Sequence, residues 1–285
     1  MKKWYQKYLE VYGRAYDASV CAPLLSGMRM RLGLLQSADP LVSISIIAYN
    51  EERHLTACLW AISDMQFDYP VEIIGTDNDS QDHTAEIFRQ SGIPFYTERQ
   101  HSCGHARQCG LTHARGKYHI NIDADTLYPP HYVNKMVSVM EHDASIVAVN
   151  ATWSYIPDEH HSPFAIRSYT LARDCYLWLQ SIRRPELSVR GLVFAYRTVP
   201  AQRVGIRTHI IRGEDGALAL SLKPFGRIAF IRRLSLVPVT GYGTIGHDVS
   251  IWQNMRTRAL KAIRSFKRLF TSQQVYADRE ENLIK

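Results

Sequence analysis

The 285-residue sequence predicts an α/β fold built on a mostly parallel sheet, and three observations carry that expectation. Short β-rich runs alternate with helical segments between residues 41 and 150. Each run has the length of a strand. Polar, acidic clusters follow the ends of several runs, at the edge where open α/β sheets take ligands.

The elements follow in order. In the leader, residues 1–40, Trp4, Tyr8, Tyr12 and Tyr16 recur at i, i+4, which predicts a helical extension whose apolar face packs onto its own domain. The runs "LVSISIIA", "VEIIGT", "IPFYTE", "YHINID" and "ASIVAVN" then read as strands. After the first, Asn50 is the expected helix cap and Glu51 and Glu52 suit the positive helix end. Leu55, Cys58, Leu59 and Ile62 form its apolar stripe. Beyond 150 the alternation weakens to a long helix near 162–181, a strand "LVFAYR", a short helix after "GED", and strands "RIAFI" and "LVPVT". We therefore expect one domain over 41–248, with a regular half (41–150) and an irregular half (151–248). A basic amphipathic C-terminal helix and tail follow over 249–285.

Composition narrows the function classes. At 46% hydrophobic and 21% charged residues the chain is an ordinary globular sequence, so a sizeable buried core is expected. No apolar run approaches the ~18 residues of a membrane span. The start "MKKWYQKYLEVYG" lacks the unbroken apolar stretch of an export signal. Five cysteines with no C-x-x-C pair signal neither a disulfide framework nor a zinc knot, which favours a reducing, cytoplasmic location. A net charge of +7 calls for an anionic partner: a phosphate-bearing substrate, anionic lipid or nucleic acid.

The most informative stretch is "HINIDADTLYPP" at 119–130. In an extended strand Ile120, Ile122 and Ala124 share one face, and Asn121, Asp123 and Asp125 share the other. The two carboxylates would stand roughly 6.5 Å apart at Cα, close enough to serve one hard cation or the nucleotide beside it. The alternative is that Asp125 only opens the turn towards Pro129 and Pro130.

Four segments in order, "SIIAYNEERHLTACLWAI", "EIIGTDNDSQDHTAEI", "GHARQCGLTHARGKYHINIDADTLYPP" and "GEDGALALSLKPFGRIAFI", give the sequence its resemblance. It resembles the family 2 glycosyltransferases of the GT-A fold, a Rossmann-like, mostly parallel central sheet flanked by helices, from about Val42 to Ile231. The resemblance implies an inverting enzyme that moves a single sugar from a nucleoside-diphosphate sugar to an acceptor hydroxyl with help from Mn²⁺ or Mg²⁺. It also implies work in cell-surface glycan or glycolipid synthesis. UDP-sugar is the first expectation for the donor, with GDP- or dTDP-sugar as alternatives, and the acceptor is a glycan or a lipid-linked molecule.

Residue by residue, the resemblance places Ala48, Tyr49 and Glu51 at the nucleotide's base and ribose and Asp77 as the acid that hydrogen-bonds the base. Asp79 supports that loop. Arg107 corresponds to a basic residue near the donor, and Asp123, Ala124 and Asp125 to the D-x-D segment, with Asp125 as the direct metal ligand beside Asp123. Asp215 corresponds to the catalytic base, with Glu214 beside it, and His247 to a third metal ligand after the last core strand. Several of these residues also have purely local readings. Glu51 suits a helix start, Asp79 a turn, and Glu214 and Asp215 a helix's first turn.

The "GYGTIG" at 241–246 imitates a dinucleotide-binding fingerprint, but no acidic residue lies between Val249 and Ala277 to hold a ribose. From 250 to 270, Trp252, Met255, Ala259, Ile263, Phe266 and Phe270 fall at helical spacing among Arg256, Arg258, Lys261, Arg264, Lys267 and Arg268. Such a helix either lies on an anionic membrane, which would make the enzyme peripheral on the inner face, or docks on the domain. No recognisable nucleic-acid motif accompanies the charge, so no nucleic-acid partner is expected. Ile47, His83 and Gln108 depart from residues the family often carries, and the Q-x-x-R-W motif of processive synthases is missing. Two rivals stand beside the transferase. One is a sugar nucleotidyltransferase, which "YNEE" in place of a glycine-rich loop disfavours. The other is a degenerate scaffold on the same fold, which retention of the acids disfavours.

Overall fold

The computed structural model describes residues 3–157, 162–232, 236–241 and 283–284. The leader does not form one helix. A short 3-10 helix spans Gln6–Glu10, and α1 (Ala18–Leu35) starts separately after Gly13, which takes a left-handed φ of 77°. Asp17 caps α1 by accepting from the Ser19 N–H at 2.9 Å. The expectation of a single helix through Trp4, Tyr8, Tyr12 and Tyr16 is thus corrected, since the turn between the two pieces breaks their spacing. The leader does pack on its own domain, where Tyr5, Tyr8 and Val11 share a buried cluster with Ala57 and Ala61.

Among the described residues ten strands follow in chain order: β1 (Val42–Ala48), β2 (Val71–Asp77), β3 (Phe95–Thr97), β4 (Tyr118–Asp123), β5 (Thr126–Leu127), β6 (Ile146–Ala151), β7 (Ser154–Tyr155), β8 (Phe194–Arg197), β9 (Arg227–Ile231) and β10 (Val239–Thr240). Seven of them form the central sheet in the order β3-β2-β1-β4-β8-β6-β9. Its pairings are parallel except at β8, which runs antiparallel to both β4 and β6. The small strands β5, β10 and β7 make a second sheet.

Register explains where the site sits. Val42 of β1 pairs with Val71 of β2 and Tyr118 of β4. The same ladders pair Ala48 with Asp77 and Ile47 with Asp123, so β2 and β4 deliver acids to the edge where β1 ends. Ile44, Ile46, Ile73, Ile120 and Ile122 are fully buried and fix that register, because a one-residue slip would turn each of them to the opposite face.

The helices are α2 (Leu55–Ser63), α3 (Thr84–Ser91), α4 (Cys103–His113), α5 (Tyr132–His142), α6 (Pro163–Arg183), α7 (Thr198–Val204) and α8 (Glu214–Leu222). The apolar stripe of α2 is buried as expected, but Asn50 does not cap it. The helix begins at Leu55, and the Asn50 side chain instead accepts from the Gln81 N–H at 2.8 Å. α4 lies hard against the sheet: a Cβ on Gly110 would fall 2.1 Å from the Ser45 Oγ, so only glycine permits the approach. Among the described residues no helix is long and apolar enough to cross a membrane.

Candidate functional site

At the polar edge of the sheet a cleft of about 610 Å³ opens between the end of β1, the β4–β5 turn and the start of α4. Its wall includes Ala48, Tyr49, Glu51, Asn78, Asp123, Ala124 and Asp125, all but Asn78 named from the sequence. Two loops build the wall behind it. The Asn50 N–H donates to Ser80 Oγ at 2.9 Å, Glu51 N–H to Thr84 Oγ1 at 2.8 Å, and Glu52 N–H to Asp82 at 3.1 Å. The Gln81 and His83 N–H groups donate in return to Asn50 and Glu52. Asn50 and Asp79, the only described non-glycine residues with left-handed φ (54° and 60°), sit in these two loops. Asp77 is buried behind them and accepts from the Ser80 N–H at 3.2 Å, while Asp79 lies 3.7 Å from the His101 ring. Asp77 ends β2 and Asp79 stands on the loop that follows, and neither lines the cleft wall.

Asp123 links the cleft to a second cluster. The Arg107 guanidinium, 4% exposed, donates from Nη2 to Asp123 Oδ1 at 3.0 Å. Its Nε lies 3.3 Å from Asp215 Oδ1 and 3.8 Å from Glu214 Oε1. The structure therefore joins "GHARQ", "DADT" and "GED" through one arginine. Burial works against the guanidinium charge, but Asp123, Asp215 and Glu214 outweigh it and hold Arg107 protonated. Burial pushes the Asp215 carboxyl above its ordinary range, and Arg107 opposes that rise. Glu214 is pushed up to about 7 by burial and by the Asp215 charge, again opposed by Arg107. Glu214 and Asp215 do occupy the first turn of α8, yet Gly213 supplies no side-chain cap and both carboxylates face the arginine.

Gly191 makes this contact possible. A Cβ there would stand 2.1 Å from Arg107 Nη2 and 2.5 Å from Asp215 Oδ2, so any side chain would drive the pair apart. Its backbone N–H also donates to Asp215. The next residues are anchored too, because the Tyr128 hydroxyl donates to the Leu192 carbonyl at 2.8 Å and accepts from the Asp123 N–H at 3.1 Å.

Asp125 lies in the turn beyond β4, with Oδ1 accepting from Thr126 Oγ1 at 2.8 Å. Burial pushes its carboxyl up to about 7, and the Asp123 and Glu51 charges add to the rise. A partly buried acid repelled by two others suits a bound divalent cation, which would relieve all three. Among the described residues no three acidic, histidine or cysteine side chains converge as a preformed metal centre. The turn is fixed from outside: the Tyr12 hydroxyl donates to the Asp125 carbonyl at 2.6 Å and Thr240 Oγ1 to the same carbonyl at 3.3 Å. Tyr12 packs on His54, whose Nδ1 lies 2.7 Å from Glu51 Oε2.

The sequence pointed to none of Tyr12, Gly191, Tyr128 or the rim residues Ile211 and Ile284; the β-rich run that ends at Thr240 was its only trace of that contact. His247, "GYGTIG" beyond Gly241, and the 250–270 segment lie outside the described residues.

Three solved structures share this architecture. A mannosyltransferase from Pyrobaculum calidifontis in complex with GDP-Man and Mn²⁺ superposes with a TM-score of 0.55 at 18% identity, over 92% of this chain and 76% of that one. S. aureus TarS 1–349 with UDP-GlcNAc gives 0.53 at 15% identity, over 78% and 66%. Glucosyl-3-phosphoglycerate synthase from Mycobacterium tuberculosis, with Mn²⁺, UDP-Glc and phosphoglyceric acid, gives 0.50 at 19% identity, over 85% of each chain. At these identities the likeness is one of fold, and the fold is the GT-A α/β architecture of glycosyltransferases. The family model for glycosyl transferase family 2 matches residues 43–192, more than half of the chain, and the chain belongs to that family. Its curated relatives include uncharacterised glycosyltransferases of Rickettsia prowazekii, 26% identical over 132 residues, and of Bacillus subtilis, 27% over 127 residues. The matched regions make up 45% and 43% of this chain and only 41% and 32% of those relatives.

Proposed function

We propose that this chain transfers a single sugar from a nucleoside-diphosphate sugar to an acceptor hydroxyl, with inversion at the anomeric carbon. The observation that carries the reading is the Arg107 bridge, which ties the D-x-D acid Asp123 to Asp215 at the sheet edge. Ala48, Tyr49 and Glu51 would bind the base and ribose, with Asp77 and Asp79 behind them. The exposed Tyr49 ring, edge-on to His101 at 5.2 Å, offers a surface for a base. Asp125, with Asp123, would hold Mn²⁺ or Mg²⁺, and His247 is the third ligand that the family resemblance suggests. When bound, the cation would neutralise charge building on the leaving diphosphate.

Asp215 would accept the proton of the acceptor hydroxyl as its oxygen bonds to the anomeric carbon and the bond from that carbon to the diphosphate oxygen breaks. Arg107 keeps Asp215 aimed, and the raised Glu214 keeps a second carboxyl near its protonation point beside it. On this reading residues 41–150 bind the donor and 151–248 the acceptor. The acceptor would be a glycan or lipid-linked molecule in cell-surface glycan or glycolipid synthesis, and the chain would work from the inner membrane face. UDP-sugar is the first donor to try, since the fold neighbours were solved with UDP-GlcNAc, UDP-Glc and GDP-Man.

Thermal denaturation in the presence of UDP, GDP or dTDP, with and without Mn²⁺, tests the donor site, and donor hydrolysis by wild type and Asp215→Asn tests the base. A metal-dependent Tm rise with one nucleotide and turnover lost in Asp215→Asn is the expected outcome. Indifference to every nucleotide, or full turnover in the variant, would sink the proposal.

A further inference from the structure

The cleft has a side that the chemistry above does not use. Its acids, Glu51, Asp123 and Asp125, come from the sheet edge, whereas Ile211 and Ile284 enter its wall from two segments far apart in the chain. Both are large apolar side chains open to solvent, Ile211 51% and Ile284 40% exposed. An exposed isoleucine is ordinary on a free surface. These two are set into a cleft wall together with acids, and a pocket so lined takes the uncharged part of a ligand on its apolar side.

Their placement is held by the backbone. The segment 206–211 is tied across α4: the Ile206 N–H donates to Gln108 Oε1 at 2.7 Å, and Ser102 Oγ donates to the Thr208 carbonyl at 3.4 Å. The Arg207 carbonyl stands so close that a Cβ on Gly104 would fall 2.7 Å from it. Residues 283–284 then pair with this segment as a strand would. Leu283 bridges Ile210 in the antiparallel sense, and the Ile284 N–H donates to the His209 carbonyl at 3.0 Å. That register sets Ile284 level with His209, and strand alternation turns it to the same face as Ile211. Ile210, 1% exposed, turns the other way into the domain. The pairing thus accounts for both isoleucines reaching one cleft.

We propose that Ile211 and Ile284 form an apolar wall against the nucleoside of the donor, so that residues 283–284 belong to the donor site. The proposal rests on the donor reading above and adds the residues that receive the ligand's uncharged part. A diphosphate set against isoleucine would lose its hydration and gain no partner, so it goes to the acids and their cation. The transferred sugar goes towards Asp215, which does not line this cleft. The base and ribose remain. Tyr49 and His101 share the cleft with the isoleucines and add ring surface suited to the same part of the molecule.

The test is titration calorimetry of the full chain with UDP, GDP and dTDP, and separately with inorganic pyrophosphate, all with Mn²⁺. Ile211→Ser and Ile284→Ser should each weaken the nucleotide that wild type binds by about fivefold, and the double variant by roughly 25-fold. Pyrophosphate carries only the charged part, so its affinity should stay within about twofold of wild type in every variant. Ile284→Val should bind nucleotide as wild type does. Unchanged circular dichroism and Tm would establish that folding is intact; should a serine variant lower the Tm, Ile211→Ala and Ile284→Ala carry the same comparison. Wild-type nucleotide affinity in the double variant would overturn the proposal and leave the donor reading standing. So would an equal loss of pyrophosphate affinity, because the isoleucines would then act through the acids. A wild type that binds no nucleotide would remove the donor reading itself, and this wall with it.

Discussion

The Tyr12 hydroxyl donates a 2.6 Å hydrogen bond to the backbone carbonyl of Asp125, across 113 residues of sequence. The N-terminal leader thereby holds the turn that presents the D-x-D acids. Tyr12→Phe keeps the ring and its packing on His54 but removes the donor. A net hydrogen bond of about 1 kcal/mol corresponds to roughly a fivefold loss in Mn²⁺-dependent nucleoside-diphosphate affinity. Titration calorimetry with and without metal checks it, and an unchanged affinity would mean that Thr240 alone fixes the turn.

Gly191→Ala places a methyl group 2.1 Å from Arg107 Nη2. Overpacking of this kind costs about 1–3 kcal/mol and must separate the arginine from Asp215. We expect kcat to fall roughly 10- to 100-fold while nucleotide affinity changes less, because the cleft wall at Ala48, Tyr49 and Glu51 is untouched.

The pH profile follows from the same cluster. As the proposed base, Asp215 must be ionised to accept a proton, and burial raises it. Activity should therefore decline as pH falls through a limb that lies above the usual carboxylate range. Arg107 holds Asp215 down, so Arg107→Met should move the acid limb to higher pH as well as lower the rate. A kcat/KM profile from pH 5 to 9 reads both effects.

Asp125 trades stability for its place in the site. Its carboxyl is near 3.8 in an unfolded chain and about 7 when folded. The folded state thus binds the extra proton between those values, and the stabilisation present below the lower one is lost as pH rises through about 7. Without metal, Asp125→Asn should raise the Tm at pH 8 and lose that advantage towards pH 4. The same variant should no longer be stabilised by nucleotide with Mn²⁺. Thermal melts over that range, with and without ligand, test both halves.

Much of this was legible in the sequence because it is local. Strand runs such as "LVSISIIA" announce their burial, and the acids at Glu51, Asp123 and Asp215 follow short segments whose ends the sheet gathers at one edge. What was not legible depends on distance in the chain. Tyr12 looks like one aromatic of a helical stripe until Gly13 and Asp17 split the leader. Gly191 has no sequence context that distinguishes it, since its role is set by Arg107 and Asp215 arriving from elements 84 and 24 residues away. Asn50 looked like a helix cap because its type suits one, and the competing bond from Gln81 comes from another loop.

The reciprocal bonds between residues 50–52 and 80–84 have one further consequence. Loops at a ligand edge usually keep several backbone conformations, and a ligand that selects one must overcome their lost entropy. Here five hydrogen bonds have already removed that freedom during folding. This wall behaves as a bracket cast in advance, and whatever the cleft accepts must match its contour rather than reshape it.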